Sequence, residues 1–240
     1  MASQDLTSSK QYIAAGYDEI ATRYLAWAHA RPGAMEHRLA LVERLHAYLG
    51  SAKPNGQETR RGLRLLELGC GAGEPVTLAL AAHPAIGSIV ANDISTTQLE
   101  MLRDKLARPD AEGEEKVQRV HGDMMALSFP ECSLDAVLAF YSTIHLPQTE
   151  QTEMILRVHR WLKPDSGYFV VSFGAEESAG VTNENWLGMK SFWSSHGVAN
   201  SLRIVEDAGF EVVHKEVKAD PEDAPFLWVI GRKKAEEWPE

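Results

Sequence analysis

Cysteine is nearly absent. The 240 residues hold two, Cys70 and Cys132, which make neither a disulfide framework nor a metal cluster. Basic charge is also short, with 24 Lys and Arg against 34 Asp and Glu, a formal net charge of −10. No basic stripe offsets that deficit, so the chain lacks the electrostatic footprint needed for a nucleic-acid backbone. Long apolar runs are missing: residues 78–82 and 167–173 fall far short of the roughly 20 residues that span a bilayer. The polar start, residues 1–10, lacks the apolar centre of a secretory signal. There is no internal repeat, and 44% hydrophobic content is ordinary globular composition. These features predict one cytoplasmic domain that binds neither nucleic acid nor membrane. They leave its oligomeric state open.

Periodicity then organises the chain. Residues 1–9 are small and polar and are expected to fray. Tyr12, Ile13, Tyr17, Ile20, Tyr24 and Trp27 recur at spacings of three and four, which predicts an amphipathic helix over 10–29. Arg31-Pro32-Gly33 breaks it, and Met35, Leu39, Leu41, Val42, Leu45 and Leu49 resume the helical period. Lys53-Pro54-Asn55-Gly56 marks a polar loop over 51–61. Strands are expected at 63–68, 86–91, 116–121, 134–140, 168–173, 210–218 and 225–231. Helices fall between them at 74–82 behind Pro75, 95–106 capped by Ser95, 149–162, and 199–208 closed by Gly209. This alternation predicts an α/β fold, a doubly wound, mostly parallel sheet of seven strands. Residues 219–224 are too few for a parallel crossover, so the last strand should run antiparallel. The expected plan is a single domain over 1–240. It comprises a helical cap (1–50), a ligand-binding core (62–173), a cap segment over the acceptor (174–198), and a C-terminal helix and strands (199–233).

The strongest chemical signal is Glu67-Leu68-Gly69-Cys70-Gly71-Ala72-Gly73, between the first strand and a helix. Glycines there permit a tight turn and close approach of a ligand at the sheet's carboxyl edge. A bare strand–turn–helix junction can look similar. A dinucleotide fingerprint wants Gly or Ala where this chain has Glu74, and a carboxylate at a helix start would repel a pyrophosphate. No G-K-[ST] follows, so this is no P-loop. Asp93 ends the second strand, placed to accept hydrogen bonds from ribose hydroxyls. An acidic loop with a ribose-binding acid describes a nucleoside without phosphates, and S-adenosylmethionine is such a ligand.

On these residues the chain resembles the class I S-adenosylmethionine-dependent methyltransferases. It looks closest to a small-molecule branch with the quinone-biosynthesis C-methyltransferases. The resemblance runs from Tyr17-Asp18-Glu19-Ile20-Ala21-Thr22-Arg23-Tyr24 to the last strand and is most specific over 65–147. It implies a Rossmann-like fold, S-adenosylmethionine as cofactor, and methyl transfer to a small-molecule acceptor by in-line displacement. Glu67, Gly69, Gly71 and Gly73 then match the loop around the methionine part. Asp93 matches the ribose acid, with Ile94 beside the adenine and Gln98 in the next helix. Gly122-Asp123-Met124 matches the loop where an Asp meets the adenine amino group. Phe140-Tyr141 faces the methionine amino group and the acceptor, and Tyr17 belongs to a helix that closes over the cofactor.

Structural readings stand beside these. Asp93 and Asp123 also read as caps, and Tyr17 and Tyr24, seven apart, also read as core. Phe192 and Trp193 lie between a strand and a helix, either as a satellite cluster or as a wall of the acceptor pocket. His145 and His196 are the candidate catalytic bases, which an O–H or N–H acceptor would require. No residues pair into a Mg²⁺ site. Two other functions remain open: a binding or pericyclase-like protein on the same fold, and a nicotinamide oxidoreductase, which Glu74 disfavours.

Overall fold

Continuous burial along the middle strands shows that the central sheet is covered on both faces. The computed structural model describes residues 2–51, 61–219 and 224–235. Its strands are β1 (Leu63–Leu68), β2 (Ile86–Asp93), β3 (Val117–His121), β4 (Ala136–Ala139), β5 (Tyr168–Gly174), β6 (Glu177–Trp186), β7 (Met189–His196), β8 (Phe210–Lys218) and β9 (Phe226–Lys233). Its helices are α1 (Ala2–His29), α2 (Pro32–Ser51), α3 (Val76–Ala82), α4 (Thr96–Leu106), α5 (Gln148–Trp161) and α6 (Gly197–Asp207). Seven strands form one sheet in the order β3-β2-β1-β4-β5-β9-β8. Pairings among β1 to β5 are parallel, and β9 runs antiparallel to both β5 and β8. The order reverses direction between β1 and β4, and a crevice opens there at the carboxyl ends.

Side chains alternate between two clusters. Ala136, Leu138, Tyr168, Val170, Trp228 and Ile230 point to the face covered by α2, α3 and α4, where Leu41, Leu45, Leu80 and Leu102 are buried. Val137, Ala139, Phe169, Val171, Leu227 and Val229 point to the other face, under Met154, Val158 and Trp161 of α5 and Val205 of α6. Helix α2 thus belongs to the core. Ile13, Ile20, Ala21 and Ala28 of α1 are buried, yet they join neither cluster. They pack instead on β7, α4 and α2.

One expectation needs correction. The segment read as frayed is helical, because α1 begins at Ala2. Within 174–198, for which the sequence pattern offers no element, β6 and β7 pair into an antiparallel hairpin outside the main sheet, with Val181 opposite Trp193 and Thr182 opposite Phe192. Strand β6 is largely exposed, so it carries no apolar alternation for a sequence to reveal. The Lys53-Pro54-Asn55-Gly56 turn lies outside the described residues.

Because α1 stands apart from both clusters, deleting residues 1–29 should leave a cooperative thermal transition followed by circular dichroism. Cofactor affinity and turnover should fall instead. Loss of the transition would place α1 in the core.

Candidate active site

The carboxyl edge is built by the turn after β1. Gly69 and Cys70 both donate their N–H groups to the Asn92 carbonyl, at 2.8 and 2.9 Å. Gly69 takes φ +72, and a Cβ there would lie 2.3 Å from that of Ser142, so only glycine fits the crossing. Asp93 closes the turn. Its Oδ2 accepts the Gly71 N–H at 2.7 Å and its Oδ1 the Ser95 N–H at 2.9 Å. Burial pushes this carboxyl above its usual value, against those bonds.

Around this turn lies a narrow cavity of about 90 Å³. Of the residues expected to bind the cofactor, Tyr17, Gly69, Gly71, Asp93, Ile94, Gln98, Gly122, Asp123, Met124, Phe140 and Tyr141 line it, and so does His145. A Cβ on Gly71 would meet nothing nearer than Gln98 Oε1 at 3.7 Å, so its backbone faces open space. Gln98 is buried with neither amide atom hydrogen-bonded, and the Ser142 hydroxyl is likewise unpartnered. An unmet polar group of this kind costs about 1–3 kcal/mol, a debt that a polar ligand would cancel.

Three expected residues do not line it. Glu67 lies behind the turn and accepts the Thr77 hydroxyl at 2.6 Å; burial pushes its carboxyl up to about 8. Gly73 packs against α4, where a Cβ would lie 2.4 Å from Leu102 Cδ1. His196 holds α5, its Nε2 lying 3.0 Å from the Gln148 carbonyl oxygen and 3.2 Å from the Thr152 hydroxyl. All three thus stand outside the lining of this cavity. Glu74 is turned aside too. Burial alone would raise its carboxyl, but hydrogen bonds from Lys105 and His29 hold it below the usual value.

Sequence reasoning missed the residues that seat α1. Asp18 Oδ1 accepts the Ser95 hydroxyl at 2.6 Å and the Thr97 N–H at 2.9 Å, at the start of α4. Lys10 Nζ lies 2.7 Å from Asp123 Oδ2 and 2.6 Å from Glu150 Oε2. Burial works against the Lys10 charge, but these carboxylates outweigh it and raise its pKa. Such contacts span more than 70 residues and leave no local signal.

A second, larger cavity of about 650 Å³ adjoins the first, and Tyr17, Tyr24, Tyr141 and His145 line both. His145 Nδ1 is 2.9 Å from the Phe192 carbonyl oxygen, so that nitrogen carries the proton. Nε2 is then the acceptor, 3.0 Å from the Tyr17 hydroxyl that donates to it. Burial lowers the imidazole pKa to about 4 and pushes the Tyr17 hydroxyl well above its usual value. Trp193 packs edge-on against Trp186, which contacts Tyr17, Tyr24 and Trp27. Trp193 therefore walls the larger cavity, and Phe192 supplies only its carbonyl.

A family described as a methyltransferase domain matches residues 65–165, the stretch from β1 through α5 that carries this turn. Over that stretch the chain is similar to the class I S-adenosylmethionine-dependent methyltransferases. A sterol 24-C-methyltransferase of Neurospora crassa is 29% identical over 180 residues, 71% of this chain and 46% of that protein. A 27-O-demethylrifamycin SV methyltransferase of Amycolatopsis mediterranei is 32% identical over 105 residues, 44% of this chain and 36% of that protein. The chain spans about half the length of the curated relatives it matches. Among solved structures, a magnesium protoporphyrin IX methyltransferase of Synechocystis with bound SAM aligns with TM-score 0.67 at 17% identity, covering 94% of this chain and 97% of that one. A [4+2]-cyclase, SpnF, aligns with TM-score 0.57 at 22% identity over 80% of each chain. The fold is thus shared with proteins of different chemistry. Among the described residues, no helix is long and apolar enough to cross a membrane.

The neutral, buried His145 has a consequence for stability. The unfolded chain takes up a proton below its ordinary value of 6.5, whereas the folded protein refuses it down to about 4. Stability contributed by this group is present above pH 6.5 and is lost as pH falls towards 4, by up to about 3 kcal/mol. Urea denaturation from pH 7 to 4 should show a shallower decline for His145→Gln than for the parent. His46 and Glu67 titrate in the same window but are common to both proteins. Parallel curves would refute the assignment.

Proposed function

We propose that this chain transfers a methyl group from S-adenosylmethionine to a small-molecule acceptor held in the larger cavity. The carrying observation is the pair of unsatisfied polar side chains, Gln98 and Ser142, buried beside Asp93 and the open Gly71 backbone. That set suits a ligand that is polar along its length and carries no phosphate. When bound, the cofactor supplies an electrophilic methyl on a sulfonium. The Gly69–Gly71 backbone then faces the methionine part, and Asp93, with carboxylate lone pairs to spare, accepts from the ribose diol. Ile94 and Met124 flank the adenine, and Asp123 meets its amino group in place of Lys10. Glu67 and Gly73 act from behind, by holding the turn and spacing it from α4.

The protein's contribution to the reaction is alignment. Tyr17, Tyr141 and His145 stand where the two cavities meet, the position from which an acceptor could reach the methyl carbon in line with sulfur. Oriented by Phe192, His145 presents an unprotonated Nε2 at every ordinary pH. It receives the acceptor's proton once the Tyr17 hydroxyl yields its place. Its low basicity restricts this role to a proton made acidic as the new bond to carbon forms. Because α1 lies outside both core clusters, it can lift to admit the cofactor and reseat to exclude water.

Calorimetry with S-adenosylhomocysteine and label transfer from methyl-labelled cofactor in a metabolite extract test this reading together. The parent should bind and transfer label. Asp93→Ala should lose about 1.5–3 kcal/mol of affinity per ribose hydrogen bond. Gly71→Val, which puts a branched side chain into open space at φ +55, should abolish binding. Binding without transfer would favour a cyclase-like role, and unchanged affinity in both variants would refute the site.

A further inference from the structure

Two arginines line the larger cavity although the chain is acidic. Among the described residues, Arg31 and Arg38 stand there with one carboxylate residue, the exposed Glu176. Arg31 immediately precedes α2, and Arg38 lies in its second turn. Arg31 lies over the Trp27 ring at 4.0 Å and donates to the Trp27 carbonyl at 3.0 Å. The Arg38 guanidinium lies over the Tyr141 ring at 5.6 Å, and its Nε donates to the Ala34 carbonyl at 3.4 Å. Among the described residues no carboxylate lies within ion-pair distance of Arg38. The acid that acts on it electrostatically is Glu67, whose carboxyl is pushed up by burial to about 8 and is mostly uncharged at neutral pH. A half-buried guanidinium resting on an aromatic face keeps the N–H edge that matches a planar oxyanion.

The rings of Tyr24, Trp27, Trp186 and Trp193 also line this space of about 650 Å³, which is far more than an acetate-sized acceptor fills. The methyl-transfer junction at Tyr17 and His145 borders that space, and the arginines enter it from α2 and the residue before it. We propose that the acceptor is a ring-bearing organic anion, with an oxyanion held by Arg38 and Arg31, its rings against the tryptophans, and its nucleophile facing Tyr17 and His145. This rests on the methyl-transfer reading and narrows it to a substrate class.

Two fluorescent probes of matched ring structure test it on the full chain saturated with S-adenosylhomocysteine. One is 8-anilinonaphthalene-1-sulfonate; the other is its uncharged parent, N-phenyl-1-naphthylamine. The sulfonate should bind at least about tenfold more tightly, and added salt should erode only that preference. Arg38→Met should weaken the sulfonate about tenfold and shift the neutral probe less than twofold, with Arg38→Lys in between. Arg31→Met gives an independent second variant should Arg38→Met fail to fold. Equal affinity for the two probes, or folded arginine variants that keep the full sulfonate preference, would overturn the proposal. Calorimetry of the same samples separates the two claims. If S-adenosylhomocysteine binds and no anion preference appears, only the acceptor class is wrong. If it does not bind, the methyl-transfer reading fails.

Discussion

The Asp93 carboxylate, buried at the end of β2, takes the Gly71 N–H on one oxygen and the Ser95 N–H on the other, and the carboxyl edge is arranged around those two bonds. The first bond sets the glycine turn after β1. The second places Ser95, whose hydroxyl caps α4 and donates to Asp18 of α1. One buried charge thereby couples the turn, the helix that carries Gln98 and the element that covers the crevice. Such a group is costly to bury unless its hydrogen-bonding capacity is met, which accounts for the density of donors around it.

Helix α1 is attached differently from every other helix in the fold. Its apolar residues are buried without joining the sheet's clusters, and polar contacts also fix its position along its length. Lys10 meets Asp123 and Glu150, Tyr17 meets His145, Asp18 meets Ser95 and Thr97, and His29 meets Glu74.

The glycine turn was legible because its chemistry is contiguous: Gly69, Gly71 and Gly73 each adopt a positive φ, and the neighbouring residues spell out the strand and helix around them. The seven strands were legible for a similar reason, since sandwiching between two helical layers makes each buried strand apolar or alternating. The β6–β7 hairpin was not, because β6 faces solvent along most of its length and needs no apolar pattern. His145 stood out by its place after the fourth strand. The sequence could not say which of its nitrogens holds the proton, because the Phe192 carbonyl and the Tyr17 hydroxyl come from distant segments. The place of His196 has the same origin: it follows Ser195 in the chain, and only folding sets its ring against α5.

From the sequence alone follow the doubly wound sheet, its reversed final strand, the glycine-rich turn and the acid at the end of β2. Each of these depends on residues within a few positions of one another, so short-range backbone chemistry and hydrophobic period are sufficient. Tertiary structure decided where α1 sits, which expected site residues reach the cavity, and that Arg31 and Arg38, before and within α2, share a space with tryptophans of a hairpin more than 140 residues away. Those arrangements arise when non-local surfaces exclude water from each other, and no local pattern in the chain records which surfaces will meet.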